Sequence, residues 1–163
     1  MSTKTAVSRL TGDGLRFATE VGSGHTLILD TGEGDTGPRP AELIGAALAG
    51  CTAMDVASIL RKKRQAFTGY EVRVTAEQMD GHPHAFTSFH VVHVVDGPVD
   101  PAALARAIEL SATRYCAVGS TLASGGSTLR YAYLIRDGEQ ERYAEVLTTG
   151  PNVTPDALAC VTA

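Results

Sequence analysis

Cysteine is scarce in this chain: its 163 residues include three, Cys51, Cys116 and Cys160. So few thiols make no disulfide framework, and a bridge between any two of them reads as transient and redox-active rather than structural. An apolar leader is missing as well, because the opening residues are polar and carry Lys4 and Arg9, so the protein is expected to stay in the cytoplasm. Positive charge is not in excess: 14 Lys and Arg against 18 Asp and Glu leave a net charge of −4, which argues against a nucleic-acid surface. The one basic run, Arg61 to Arg64, suits a helix C-terminus, where the macrodipole favours cations. Internal repeats and low-complexity segments are absent. The longest apolar stretch, Leu43 to Ala53, is interrupted by Gly45 and Gly50 and bounded by Glu42 and Asp55. It reads as a buried helix too short to cross a bilayer.

At this length and 44% hydrophobic content, one domain with a real core is expected, spanning residues 1–136, with a polar C-terminal extension over 137–163. Val7–Leu10, Leu15–Val21 and Thr26–Asp30 are strand-like and separated by glycine turns, a three-stranded meander. A Gly- and Asp-rich loop, Thr31–Pro38, leads to Pro40, which suits a first helical turn, and a helix is predicted over Ala41–Arg64. Val72–Gln78 and Phe86–Val95 read as a hairpin. Asp100 and Pro101 make an N-cap and first-turn pair for a second helix reaching Tyr115. A short apolar helix near Val118–Leu122 and a strand over Leu129–Ile135 follow. Beyond residue 137 a loosely packed tail is expected, with room for one strand near Tyr143–Leu147. The order is βββ-α-ββ-α-α-β, an α+β class.

Two features point to chemistry. Cys51 lies in a helix of small residues, where a thiol becomes a nucleophile if its ionisation is assisted, and Cys116 lies at a helix end where it could close a disulfide on Cys51. The small residues Gly45, Ala46, Ala47, Ala49, Gly50 and Ala53 imply a close visitor to that helix, either the second helix or the same helix of a partner subunit. Buried packing explains a small apolar cysteine equally well. The histidines offer a different chemistry. His82 and His84 flank a turn proline, whereas His90 and His93 face opposite sides of one strand, so the four converging ligands of a closed zinc site are not assembled and no metal is expected.

The segments Gly37-Pro38-Arg39-Pro40-Ala41-Glu42-Leu43, Ala47-Leu48-Ala49-Gly50-Cys51-Thr52-Ala53-Met54-Asp55-Val56 and Arg106-Ala107-Ile108-Glu109-Leu110-Ser111, the last leading to Tyr115-Cys116, resemble the OsmC/Ohr family of thiol-dependent hydroperoxide reductases over roughly residues 5–135. The resemblance implies an intertwined homodimer with antiparallel sheets wrapped around two long central helices. It implies Cys51 as peroxidatic nucleophile, Cys116 as resolving thiol and Glu42 as the family carboxylate. The substrate would be an organic hydroperoxide and the reductant a dithiol such as a lipoylated protein, with no bound cofactor, no nucleic acid and no membrane. An arginine usually serves the family thiolate. None occurs between Gly22 and Pro38, and Arg16 and Arg39 flank that gap. Glu42 and Cys51 would project from roughly opposite faces of one straight helix. The other reading of the same chain is a non-catalytic family member that binds a small apolar ligand at the dimer interface.

Overall fold

Tight turns shape the N-terminal region. Gly12 and Gly24 sit at φ of 86° and 84°, backbone that side chains with a Cβ rarely adopt, and they let the chain reverse between β1 (Ala6–Leu10), β2 (Phe17–Val21) and β3 (Thr26–Leu29). The three strands form an antiparallel sheet in sequence order, the predicted meander. Leu15, read as the start of the second strand, lies in the preceding turn and is exposed. The structure, a computed structural model, describes residues 2–151, and the chain divides into two compact units, one ending at Ile44 and the other starting at Gly45.

The Gly/Asp-rich loop is organised by Asp30, whose carboxylate accepts from the Thr31 and Thr36 backbone N–H groups and from the Thr36 hydroxyl. Those bonds, the Thr36 hydroxyl first, hold the Asp30 carboxyl below its usual range. Helix α1 follows over Glu42–Lys62. Its start carries one half of a capping box: Glu42 reaches back to accept from the Arg39 backbone N–H at 2.8 Å.

Only one stripe of α1 is buried, Leu48, Thr52, Val56 and Leu60, at the i, i+4 spacing of a single face. This corrects the expectation of a wholly buried helix. The helix lies within the predicted Ala41–Arg64, and its 21 residues are enough by length and composition to span a bilayer, where its apolar stretch read as too short. Its stripe of fully buried Leu48, Val56 and Leu60, built into the main hydrophobic cluster, marks it as a core helix. On its other faces Met54 is 74% exposed, while Cys51 and Ile59 are partly buried against the same cluster. Among the described residues no heavy atom outside the helix approaches within 4 Å of where a Gly50 Cβ would sit.

The second unit is built on a four-stranded sheet in the order β4 (Gly69–Gln78), β5 (Phe86–Asp96), β6 (Thr128–Asp137), β7 (Gln140–Thr149). The β4–β5 hairpin was legible. The β5–β6 pair, however, is parallel, whereas purely antiparallel sheets were expected. Parallel neighbours need a long crossover, and α2 (Pro101–Leu110), a π-helical turn (Ser111–Tyr115) and α3 (Ala117–Ser124) supply it. The Asp100 cap forms as predicted, accepting from Ala103 N–H at 3.0 Å. The second helix does not continue as α-helix to Tyr115, because it widens at Ser111 into the π turn, closed by Cys116 N–H donating to Ser111 carbonyl oxygen.

Strand β7 revises the reading of residues past 137 as a loose tail. The suggested strand at 143–147 is present and longer, pairing with β6 from Gln140 to Thr149. A register shift at Tyr131/Ala132 leaves Val146 without an opposite residue, since Tyr131 faces Leu147 and Ala132 faces Glu145. That extra residue puts Val146 beside Leu147 and spoils the period-two pattern by which a strand is recognised. Cys160 lies outside the described residues.

Candidate active site

The two thiols meet. Cys51 on α1 and Cys116 at the start of α3 bring their sulfurs, together with a carboxylate oxygen of Asp55, within 4.8 Å of one another. Cys51 and Asp55 share a face because they stand one helical turn apart on α1. Cys116 is placed by the π turn, whose wider ring ends the helix and leaves Cys116 as the N-cap of α3, its sulfur accepting from the Gly119 backbone N–H at 3.3 Å.

The thiols differ in environment. Cys51 is half-buried, open to a reactant, whereas Cys116 is buried. Burial pushes the Cys116 thiol up to about 12, and a hydrogen bond with the Cys51 thiol adds to the shift; the Gly119 N–H opposes it. Both thiols are free. The accessible sulfur is therefore the natural nucleophile and the buried, protonated one the natural second partner.

A polar thread leads away from Asp55. Ser111 Oγ lies 2.9 Å from Asp55 Oδ2 and 3.0 Å from Thr52 Oγ1. Thr52 Oγ1 makes a longer contact of 3.4 Å with His93 Nε2, and His93 Nδ1 lies 2.7 Å from the Tyr70 hydroxyl. His93 is fully buried, and desolvation pushes its pKa down to about 3, so the imidazole is neutral. Burial likewise raises Tyr70 and keeps it a phenol.

Tyr131 closes the site from the sheet side. Its buried hydroxyl has no well-formed hydrogen bond, and neither has the buried hydroxyl of Thr149. Burial raises its pKa, with the nearby Cys116 sulfur adding to the effect. Beside Asp55 a surface cleft of about 400 Å³ is lined by Ile59, Lys62, Lys63, Leu110 and Tyr115.

Of the residues singled out in the sequence, Cys51 and Cys116 are brought together. Glu42 is committed at the helix start, bonded to the Arg39 N–H and paired with the Arg39 guanidinium at 3.0 Å. The Arg39 backbone bond is the main reason its carboxyl lies below its ordinary range. Arg16 bonds Thr36 and Thr11. Of the histidines, His93 joins the thread, His90 stands near Glu145 on the other face of β5, and His82 and His84 meet edge to face in an exposed turn. Among the described residues the donors that cluster are Cys51, Asp55 and Cys116, one short of the four a closed zinc site needs. Sequence reasoning missed Asp55, Thr52, Ser111, Tyr70 and Tyr131 as site residues. The Cys51-x-x-x-Asp55 spacing was the one visible signal.

Residues 32–131 match the family described as OsmC-like protein, a span that contains both thiols and every residue of the polar thread. The chain belongs to this family. Protein YhfA of Escherichia coli strain K12 is 41% identical over 111 residues, covering 68% of this chain and 83% of YhfA. A hypothetical protein from Aquifex aeolicus VF5 has the same fold, with a TM-score of 0.75 at 24% identity over 85% of this chain and 100% of its own. An organic hydroperoxide resistance protein OsmC from Legionella pneumophila aligns with a TM-score of 0.61 at 10% identity, over 83% of this chain and 98% of that one. Likeness at such identities establishes the OsmC/Ohr α+β fold.

Proposed function

We propose that this OsmC-like protein is a thiol peroxidase that reduces organic hydroperoxides. The approach of the Cys51 and Cys116 sulfurs, one accessible and one buried, is the observation that carries this reading. The Cys51 thiolate attacks the distal peroxide oxygen, the O–O bond breaks, and the alkoxide leaves to become an alcohol. Cys51 is left as a sulfenic acid, which condenses with Cys116 to a disulfide and water. A dithiol, such as a lipoyl group, then reduces the bridge by exchange and restores both thiols. Glu42 is assigned the family's supporting carboxylate, and the reducing cytoplasm is the compartment that would recharge such a pair.

The same proposal includes a homodimer. Helix α1 is apolar, with Met54 and Ile44 exposed and, among the described residues, nothing within 4 Å of a Cβ placed at Gly50. Packing against a second copy would remove that surface from water.

The test is hydroperoxide consumption with dihydrolipoamide as reductant, cumene hydroperoxide against hydrogen peroxide. One equivalent of cumene hydroperoxide should convert the protein to a Cys51–Cys116 disulfide, seen by peptide mass spectrometry. Thiols that persist under that treatment would favour the apolar-ligand reading, and a dominant bridge to Cys160 would overturn the assignment of Cys116.

A further inference from the structure

A thread of polar side chains leads to Asp55. The Asp55 carboxylate accepts only, so the one hydroxyl proton of Ser111 points to it. Thr52 Oγ1, 3.0 Å from Ser111 Oγ, is placed as a second acceptor for that same proton. Beyond it, Thr52 Oγ1 stands 3.4 Å from His93 Nε2, and His93 Nδ1 lies 2.7 Å from the Tyr70 hydroxyl. Burial keeps the His93 imidazole neutral within this thread. The thread ties α1, β4, β5 and the π turn together and ends on a carboxylate beside both sulfurs.

The chemistry of the thiol pair has a use for that carboxylate. Cys116 holds its proton at neutral pH, yet it must attack as a thiolate. We propose that Asp55 is the general base that takes the Cys116 proton as the Cys51–Cys116 bridge forms, with Ser111, Thr52, His93 and Tyr70 as the positioning residues that aim it. The inference rests on Cys51 and Cys116 being the working pair. In the peroxidase cycle the S–S bond forms between Cys116 and the Cys51 sulfenic acid, the S–O bond breaks, and the proton held by Asp55 goes to the departing hydroxide, giving water. Asp55 ends as it began, a carboxylate.

Thiol–disulfide exchange tests this without peroxide. In a Cys160→Ser background, Ellman's reagent reacts first with Cys51, releasing one thionitrobenzoate, and Cys116 then displaces the second as it closes the bridge. Asp55→Asn, which keeps an acceptor for Ser111, should slow the second release relative to the first on the order of a hundredfold, as expected for a lost general base. Ser111→Ala, which leaves the carboxylate but removes its anchor, should lower the same ratio by less. A ratio unchanged in Asp55→Asn overturns the proposal; if that variant does not fold, an unchanged ratio in Ser111→Ala does so. Lack of hydroperoxide turnover by the wild type would count against the peroxidase reading alone, because the exchange assay contains none.

Discussion

Gly119 makes room for Tyr131. A Cβ at position 119 would stand 2.8 Å from the Tyr131 hydroxyl and 3.5 Å from the Cys116 sulfur. Gly119→Ala should therefore over-pack the site and cost about 1–3 kcal/mol in urea unfolding. Tyr131→Phe removes a buried hydroxyl that has no well-formed partner, so alone it should be close to neutral. Combining the two should recover most of the alanine penalty; additive costs would mean that the crowding lies elsewhere.

His93 makes the fold acid-sensitive. The group ionises near 6.5 when the chain is unfolded and near 3 when folded, because burial opposes the charge. Between those values the unfolded state binds the extra proton, so stability is fully present above about 6.5 and is lost as pH falls toward 3. The slope attributable to this residue approaches about 1.4 kcal/mol per pH unit. Urea midpoints across that range should fall steeply for the wild type and less for His93→Gln. Equal slopes would remove His93 as the cause.

The uncovered face of α1 should decide the assembly state. Met54→Glu places a charge on its most exposed apolar side chain and should convert a dimer to a monomer in light scattering while leaving the helical circular dichroism intact. A wild type already monomeric at micromolar concentration would remove the dimer from the proposal.

At Asp100 the consequence is local. Its carboxylate caps α2 by accepting from Ala102 and Ala103 N–H, so Asp100→Ala should cost about 0.5–2 kcal/mol. Asp100→Asn should recover most of the loss, since the cap needs an acceptor rather than a charge.

Much of the fold was legible because its signals are local. Glycine turns announced the meander, Pro40 the start of α1, and Asp100-Pro101 the start of α2, each through the conformations or hydrogen bonds that those residues favour over a few positions. The π turn was not legible, since Ser111 to Tyr115 continue a helical pattern and only the closing Cys116 N–H to Ser111 bond distinguishes the wider ring. Strand β7 was blurred by its bulge, which places Val146 and Leu147 side by side. The extent of α1 burial was misjudged because small apolar residues look the same whether their cover comes from this chain or from elsewhere.

For the site, the sequence by itself determined the two thiols, their order, and the helical setting of Cys51. Tertiary structure alone decided that Asp55 joins them and that Ser111, Thr52, His93 and Tyr70 line up behind it. The reason is physical. Caps, turns and periodicity are set by interactions within a few residues, whereas a contact such as Thr52 with His93 or Asp55 with Ser111 joins side chains far apart in sequence and exists only once a helix, a sheet and a π turn have packed together.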